Sequence, residues 1–441
     1  MIADHLGKQN TLLVLGNAFR QYGIQFYVLL AISLTITMLV VSFSAYKTSY
    51  LDYPFHIRQM LHYESLLKLD FSSFVETAPL RSAISYPGWH ICVFFIYKFL
   101  LLLNIPANES PVIAAALMSG IVISLTMLTI CFVFMKFLKT TYRFVLAPIF
   151  AGIILFCGPL YVPFVNTNYY PGQLFVGVWH NPTTQPLKFF IIVVFFLYCH
   201  ILNNRDNLEK ENMLRWPIKM SKLDFYFILI ALLLSVSAIF KSSMLLVYIP
   251  ATFIFCCVDV IATRFKNLGF CMKSGLSVLP ACLVLGAQYI ILRDFSDSRV
   301  VISFMTVWNT FSPHWFLSII ISIPFPLFVL CLCGRQLFSN KMILFSLMAL
   351  IISIFEFMLL VVDPYRLAGD FSWGMQLCAL LIFVVSFIVF NNYIYEQGRA
   401  AFKTKVVAII GYSILLAQFF YGVVFFISLV KGADVQGVWH L

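Results

Sequence analysis

Charge is what this sequence has least of. Asp, Glu, Lys and Arg make up 11% of its 441 residues, where a soluble domain carries about 25%. Hydrophobic residues supply 61% and the mean hydropathy is +0.94. That balance excludes a water-soluble globular protein. The catalytic signatures of soluble enzymes are missing as well. There is no Walker A loop, no dinucleotide Gly fingerprint, no G-x-S-x-G and no H-E-x-x-H, so nothing supports ATP-driven transport by this chain alone. Residues 1–24 are polar and mixed, and the first apolar run has no small-residue cleavage site, so no cleavable signal is read there. Low-complexity tracts and long linkers are absent. Metal signatures are missing too: Cys331 and Cys333 stand as C-x-C with no second pair. Most of the eleven cysteines lie in apolar runs and read as small buried hydrophobes. No cofactor is expected.

What the chain does have is long apolar runs. They fall at about 25–46, 88–105, 112–135, 144–163, 186–202, 223–240, 243–261, 274–292, 314–333, 342–362, 375–392 and 406–430. Such lengths approach the ~20 residues that cross a bilayer as a helix. They do not suit the ~10-residue alternating strands of a membrane barrel. The expected fold is an all-α polytopic integral membrane protein. It has about 11–12 transmembrane helices in one membrane domain, 1–441.

The net charge of +11 reads as orientation rather than as nucleic-acid binding. Lys and Arg collect in 136–143, 203–222, 262–273, 335–341 and 399–405. These segments alternate correctly with one another and are expected to be cytoplasmic, with the N-terminal 1–24. The segments 47–88, 164–185, 293–313 and 363–374 are then expected on the outer face. One conflict stands. If both 88–105 and 112–135 crossed, Lys136–Arg143 would lie outside. The weakest span is 88–105, which is short and carries Lys98.

The longest polar stretch is 47–90. Asp52-Tyr53-Pro54 breaks the chain, and Pro54 to Lys68 reads as an amphipathic surface helix. Ile57, Met60, Leu61 and Leu67 form one side, and Arg58, Gln59, His62 and Ser65 form the other. Asp52 also stands where a helix cap ahead of Pro54 belongs. His56 and His90 lie in the same stretch. A Gly-x-Trp-His or Pro-Gly-Trp-His motif recurs at 87–90, 177–180 and 437–440. Trp at headgroup depth explains it simply, and shared site architecture is the alternative.

Polar groups at membrane depth are expensive and mark function. Glu356 lies inside an apolar run and reads as a partner for Arg366 or for a substrate hydroxyl. The stretch 363–374 adds Asp370, two glycines and aromatics, which suit a phosphate clamp or a sugar platform. The 164–185 loop has no charge. Its Gln173, Trp179, His180 and Asn181 suit a hydroxyl-rich ligand.

The layout Ser49-Tyr50-Leu51-Asp52-Tyr53-Pro54-Phe55-His56, the helix after it, and Gly172-Gln173 before a later span resemble the membrane glycosyltransferases of the GT-C class. The resemblance covers the first ~200 residues. It implies a sugar carried on a polyprenyl phosphate and an outer-loop acid, here Asp52, as the catalytic base. His56 would assist it. Arg58, His90, Gln173, Trp179, His180, Asn181, Glu356, Arg366 and Asp370 are the expected substrate-binding residues. The implied setting is envelope polysaccharide or glycolipid assembly at a bacterial inner membrane, with the active side extracytoplasmic. Asp52 has no adjacent second acid and the chain has no large outer C-terminal domain, both departures from that class. Two other readings remain open: an O-antigen or capsule repeat-unit polymerase, and a transporter or flippase of lipid-linked sugars or solutes, for which Glu356 and Lys241 would serve.

Overall fold

The apolar runs become helices because, inside a bilayer, only a closed hydrogen-bond ladder satisfies the backbone. A computed structural model describes residues 11–47, 52–64, 86–166, 168, 172–177, 179, 181–214, 220–295, 299–334, 339–367, 369–398 and 402–431. In order, the helices are α1 (Thr11–Lys47), α2 (Asp52–Leu61), α3 (Pro87–Leu102), α4 (Ser110–Phe137), α5 (Arg143–Leu155), α6 (Gln185–Lys210), α7 (Lys222–Phe240), α8 (Ser243–Ala262), α9 (Leu268–Phe295), α10 (Thr306–Phe311), α11 (Trp315–Ser322), α12 (Pro324–Cys333), α13 (Lys341–Leu359), α14 (Ser372–Glu396) and α15 (Phe402–Val430). Two antiparallel strand pairs complete the fold. One is β1 (Asn212–Leu214) with β2 (Met220–Ser221), and the other is β3 (Arg299–Ile302) with β4 (Leu360–Asp363). This is an all-α polytopic membrane protein.

Among the described residues, nine helices are long and apolar enough to cross a membrane, or ten if α11 and α12, bent by 78° against each other, are counted as one span. The expected 11–12 is reduced because two runs stop short. Helix α3 has 16 residues and α5 has 13. At about 1.5 Å per residue neither covers a ~30 Å hydrocarbon core.

Hydrogen bonds fix the directions. Thr37 Oγ1 bonds Met127 Sδ, Ser124 Oγ bonds Leu34 O, and Ser42 Oγ bonds Ala116 O. Helices α1 and α4 are thus antiparallel, and α4 starts at the end where α1 finishes. Tyr53 Oη meets Ser119 Oγ at 2.8 Å. Ser119 lies nine residues into α4, about 13 Å along it. Trp89 packs against Tyr53 at the same depth, with ring centroids 6.4 Å apart. Helix α3 therefore begins part-way into the bundle and climbs back to the end where α4 starts. It is not a crossing, and the alternation of the basic segments then runs without conflict. Lys98, on its last turns, pairs with Glu64 at 2.6 Å.

The bundle has two unlike ends. At the basic end Lys139 pairs with Glu396, Lys273 with Asp224 at 3.0 Å, and Arg205 with Asp259 at 3.7 Å. Lys341 Nζ donates to Leu202 O there. The other end gathers α2, the start of α3, the described part of 156–184, the α7–α8 joint, the β3–β4 strand pair and the start of α14. The buried core runs along α14, whose residues from Ser372 to Ile388 are all buried.

The segment 156–184 differs from the expected span and outer loop. After α5 stops at Leu155 the chain is non-helical yet buried, at Leu174, Phe175, Val176 and Trp179. Such backbone survives in a membrane protein only if its polar groups are bonded. Side chains from neighbouring spans do this. Ser322 Oγ accepts from Leu174 N at 3.1 Å, and Gln376 accepts from Phe175 N and donates to Gln173 O. Gln418 Nε2 donates to Gly158 O and Ser322 O. Helix α15 approaches so closely that a Cβ on Gly422 would lie 1.5 Å from Phe156 O.

Candidate functional site

Helix α2 starts at Asp52 because Pro54 suits a first turn. It does not lie on the surface with the face read from sequence. Tyr53, His56, Gln59 and Met60 point into the bundle, whereas Leu61, Phe55 and Arg58 are exposed. The polar face turns inward because polar partners wait there. Tyr53 Oη receives a hydrogen bond from Gln185 Nε2 at 2.9 Å and sits beside Ser119 Oγ. Gln185 Nε2 also donates to Trp179 O at 2.7 Å. Burial pushes the Tyr53 hydroxyl pKa up to about 12, so it stays protonated.

Asp52 is half-buried, with Asn181 Nδ2 donating to its Oδ2 at 2.7 Å. Asn181 is itself held. Its Oδ1 accepts from Thr183 Oγ1, Thr184 Oγ1 and Thr184 N at the start of α6. Burial raises the Asp52 pKa above the ordinary carboxylate value. The Lys241 cation and the Asn181 hydrogen bond oppose that rise, and the charge of Asp370 adds to it. Lys241 occupies the α7–α8 joint. Burial lowers its pKa, and Asp370 and Asp52 counter the effect. Its Nζ stands 4.6 Å from the Trp373 ring centroid, a cation–π contact. Among the described residues, Asp52, Lys241 and Asp370 therefore form one electrostatic group, a cation that acts on two carboxylates.

His56 and His90 form the second part. His56 Nδ1 lies 3.1 Å from His90 Nε2, and His90 Nδ1 lies 3.1 Å from Tyr86 O. A carbonyl only accepts, so His90 carries its proton on Nδ1. Its neutral Nε2 then accepts from His56 Nδ1–H, which leaves His56 Nε2 as the basic nitrogen. Burial, then His90, then Lys241 hold the His56 pKa well below its usual value, so the ring is neutral near pH 7. Tyr86 Oη is 3.4 Å from Ser242 Oγ, which ties α3 to the Lys241 joint.

The structure brings Asp52, His56, Asn181 and Asp370 into one neighbourhood and sends other expected residues elsewhere. His90 is fully buried and orients His56 rather than facing an opening. Gln173 is 2% exposed and braces the loop through Nε2 to Asn168 O. Trp179 is buried between Phe156, Phe426 and the Lys188 ammonium, 4.7 Å from its ring. Arg58 is exposed. Arg366 pairs with Asp363 at 2.7 Å instead of with Glu356, because both belong to one turn after β4. Glu356 is half-buried, and its Oε2 is 3.7 Å from the point a Cβ on Gly374 would occupy. It makes no hydrogen bond or ion pair among the described residues. His180, Arg81 and the 437–440 motif lie outside the described residues. Of the Trp motifs, Trp89 and Trp179 both reach Tyr53, by ring contact and by a 3.5 Å bond from Tyr53 Oη to Trp179 O.

Lys241 is the residue the sequence reading undervalued. Its signal was visible: a lone cation between two apolar runs. Tyr53, Ser119 and Gln185 gave no signal of their own. Among the described residues no three His, Cys, Asp or Glu side chains are grouped to hold a metal ion. No protein-family model and no curated protein matches this chain.

Proposed function

We propose that this protein is a membrane glycosyltransferase of GT-C type that takes its sugar from a polyprenyl-phosphate carrier. The observation that carries the reading is Asp52: a recessed carboxylate with a raised pKa, held by Asn181 and faced by Lys241. A base works best when its pKa approaches the working pH, and burial moves Asp52 in that direction. In the reaction, Asp52 takes the proton of an acceptor hydroxyl as that oxygen attacks the anomeric carbon. The bond from that carbon to the carrier phosphate breaks, and polyprenyl phosphate leaves with the electron pair. Lys241 supplies the positive charge that the leaving phosphate requires. His56, one turn along α2 from Asp52, is the second group proposed to meet the substrate, and Trp373 holds Lys241 in place by its ring contact.

The concentration of Lys and Arg at the opposite end supports an extracytoplasmic site under the positive-inside rule. Envelope polysaccharide or glycolipid assembly at a bacterial inner membrane is the matching role. One observation favours the transporter reading instead: Glu356 is a carboxylate at membrane depth without an ion-pair partner among the described residues.

The test uses purified protein in lipid with radiolabelled polyprenyl-phosphate sugars and a panel of lipid and saccharide acceptors. Transfer that disappears in Asp52→Asn, with folding retained, supports the reading. Transfer at the native rate in that variant overturns it. Uptake of a sugar or lipid-linked sugar that depends on Glu356, with no transfer, establishes the transporter. Products that grow by whole repeat units identify a polymerase.

A further inference from the structure

The basic end holds a cavity that the site above does not use. It has a volume of about 380 Å³ and opens between the α4–α5 turn, the end of α14 and the start of α15. Its polar wall carries Thr140, Asn391 and Thr404, all buried, with the exposed Lys405 at the rim. No Asp or Glu lines it. The nearest acid on α14, Glu396, is engaged by Lys139, whereas Lys405 makes no ion pair among the described residues. Tyr412 Oη donates to Asn391 Oδ1 at 2.7 Å, Asn391 Nδ2 donates to Phe387 O at 2.9 Å, and the apolar side of the wall is formed by Leu146, Ile394 and Ala408. Next to Ala408, Ile409 is 66% exposed on the outside of α15, as a lipid-facing residue is.

We infer that this cavity binds the phosphate head group of an anionic phospholipid. Three properties converge on that ligand. The first is charge: the Lys405 ammonium, without an ion pair among the described residues, beside the Thr404 hydroxyl and with no carboxylate in the lining, makes an anion site. The second is size, since about 380 Å³ is near the lower limit of ligand pockets and holds a head group but not its chains. The third is place. The cavity lies where helices end among Lys and Arg, and basic pockets of this kind between membrane helices take anionic head groups. The apolar side at Leu146 and Ala408 gives the glycerol carbons a path toward the bilayer, which a soluble phosphate would not need. Tyr142 and Tyr395, both exposed at the mouth, have the amphipathic rings that settle at headgroup depth.

The full chain is purified in detergent, offered phosphatidylglycerol or phosphatidylcholine, and weighed by native mass spectrometry. Phosphatidylglycerol adducts are expected to persist and phosphatidylcholine adducts to be lost. Lys405→Ala and, separately, Thr404→Val are each expected to weaken phosphatidylglycerol binding, the former by about fivefold. Lys403→Ala, an exposed cation on the same turn outside the cavity, is expected to leave it unchanged. Equal retention of the two lipids, or native binding in both cavity variants, overturns the proposal. Inorganic phosphate that binds alone and displaces phosphatidylglycerol would make this a soluble-anion site and also overturn it.

Discussion

Asn181→Asp isolates the interaction on which the proposed chemistry rests. The substituted side chain keeps an oxygen where Asn181 Oδ1 caps Thr183 and Thr184, so the start of α6 is retained. What changes is the atom facing Asp52. A donor at 2.7 Å from Oδ2 becomes a second carboxylate oxygen. A hydrogen bond to a charged group contributes about 1.5–3 kcal/mol. At about 1.36 kcal/mol per factor of ten, its loss lowers turnover by roughly ten- to a hundredfold. Like-charge repulsion adds to this, because two carboxylates in contact cannot both ionise easily. In the proposed reaction the working form of Asp52 is the ionised one. Activity is therefore present above its pKa and lost as pH falls through it. Asn181→Asp raises that pKa further, so the acid limb of the pH–rate profile moves to higher pH. Asp52→Asn abolishes the base and reduces turnover by about 10²- to 10⁴-fold. Its folding behaves differently. The raised pKa means that ionised Asp52 disfavours the folded state, so stability falls as pH rises through that pKa. Asp52→Asn is then expected to melt no lower than the native protein near neutral pH. Transfer rates across pH, with melting curves in parallel, check all of this. An unmoved acid limb in Asn181→Asp, or a multiplicative loss when the two substitutions are combined, would refute a shared role, because coupled groups are not additive.

Three further outcomes follow from the structure. Lys241→Met removes the cation that opposes the burial of Asp52, so its acid limb also moves upward, and the KM for the phosphate-bearing donor rises; a profile identical to the native one would detach Lys241 from the site. Gly422→Ala places a methyl 1.5 Å from Phe156 O, a backbone atom that cannot rotate away. It is expected to destabilise by about 3 kcal/mol or more. Gly152→Ala meets only the flexible end of Met127 at 3.7 Å and is expected to be neutral or stabilising by up to ~1 kcal/mol. Thermal melting in one detergent separates the two.

The fold class was legible because bilayer thickness translates directly into run length. Runs such as 186–202 and 375–392 needed no partner to declare themselves, and α6 and α14 follow them. The run 88–105 already looked weakest because it carries Lys98, but its length matches that of runs that do cross; only the structure shows a 16-residue helix that starts part-way into the bundle. Asp52, His56 and Asn181 were also legible, since a break after the first span and an uncharged polar loop are local features. The tertiary structure alone decided which polar groups meet. Gln173 and Gln185 look alike in sequence, yet one braces a buried loop and the other bonds Tyr53 at the site. Glu356 and Arg366 lie close enough in sequence to pair, yet Arg366 turns to Asp363. Lys241 gains its role from residues more than a hundred positions away on both sides. Hydrophobicity selects the environment of a segment, and that selection is local. A hydrogen bond or a charge contact depends on where the rest of the bundle places its partner, and no single segment carries that information.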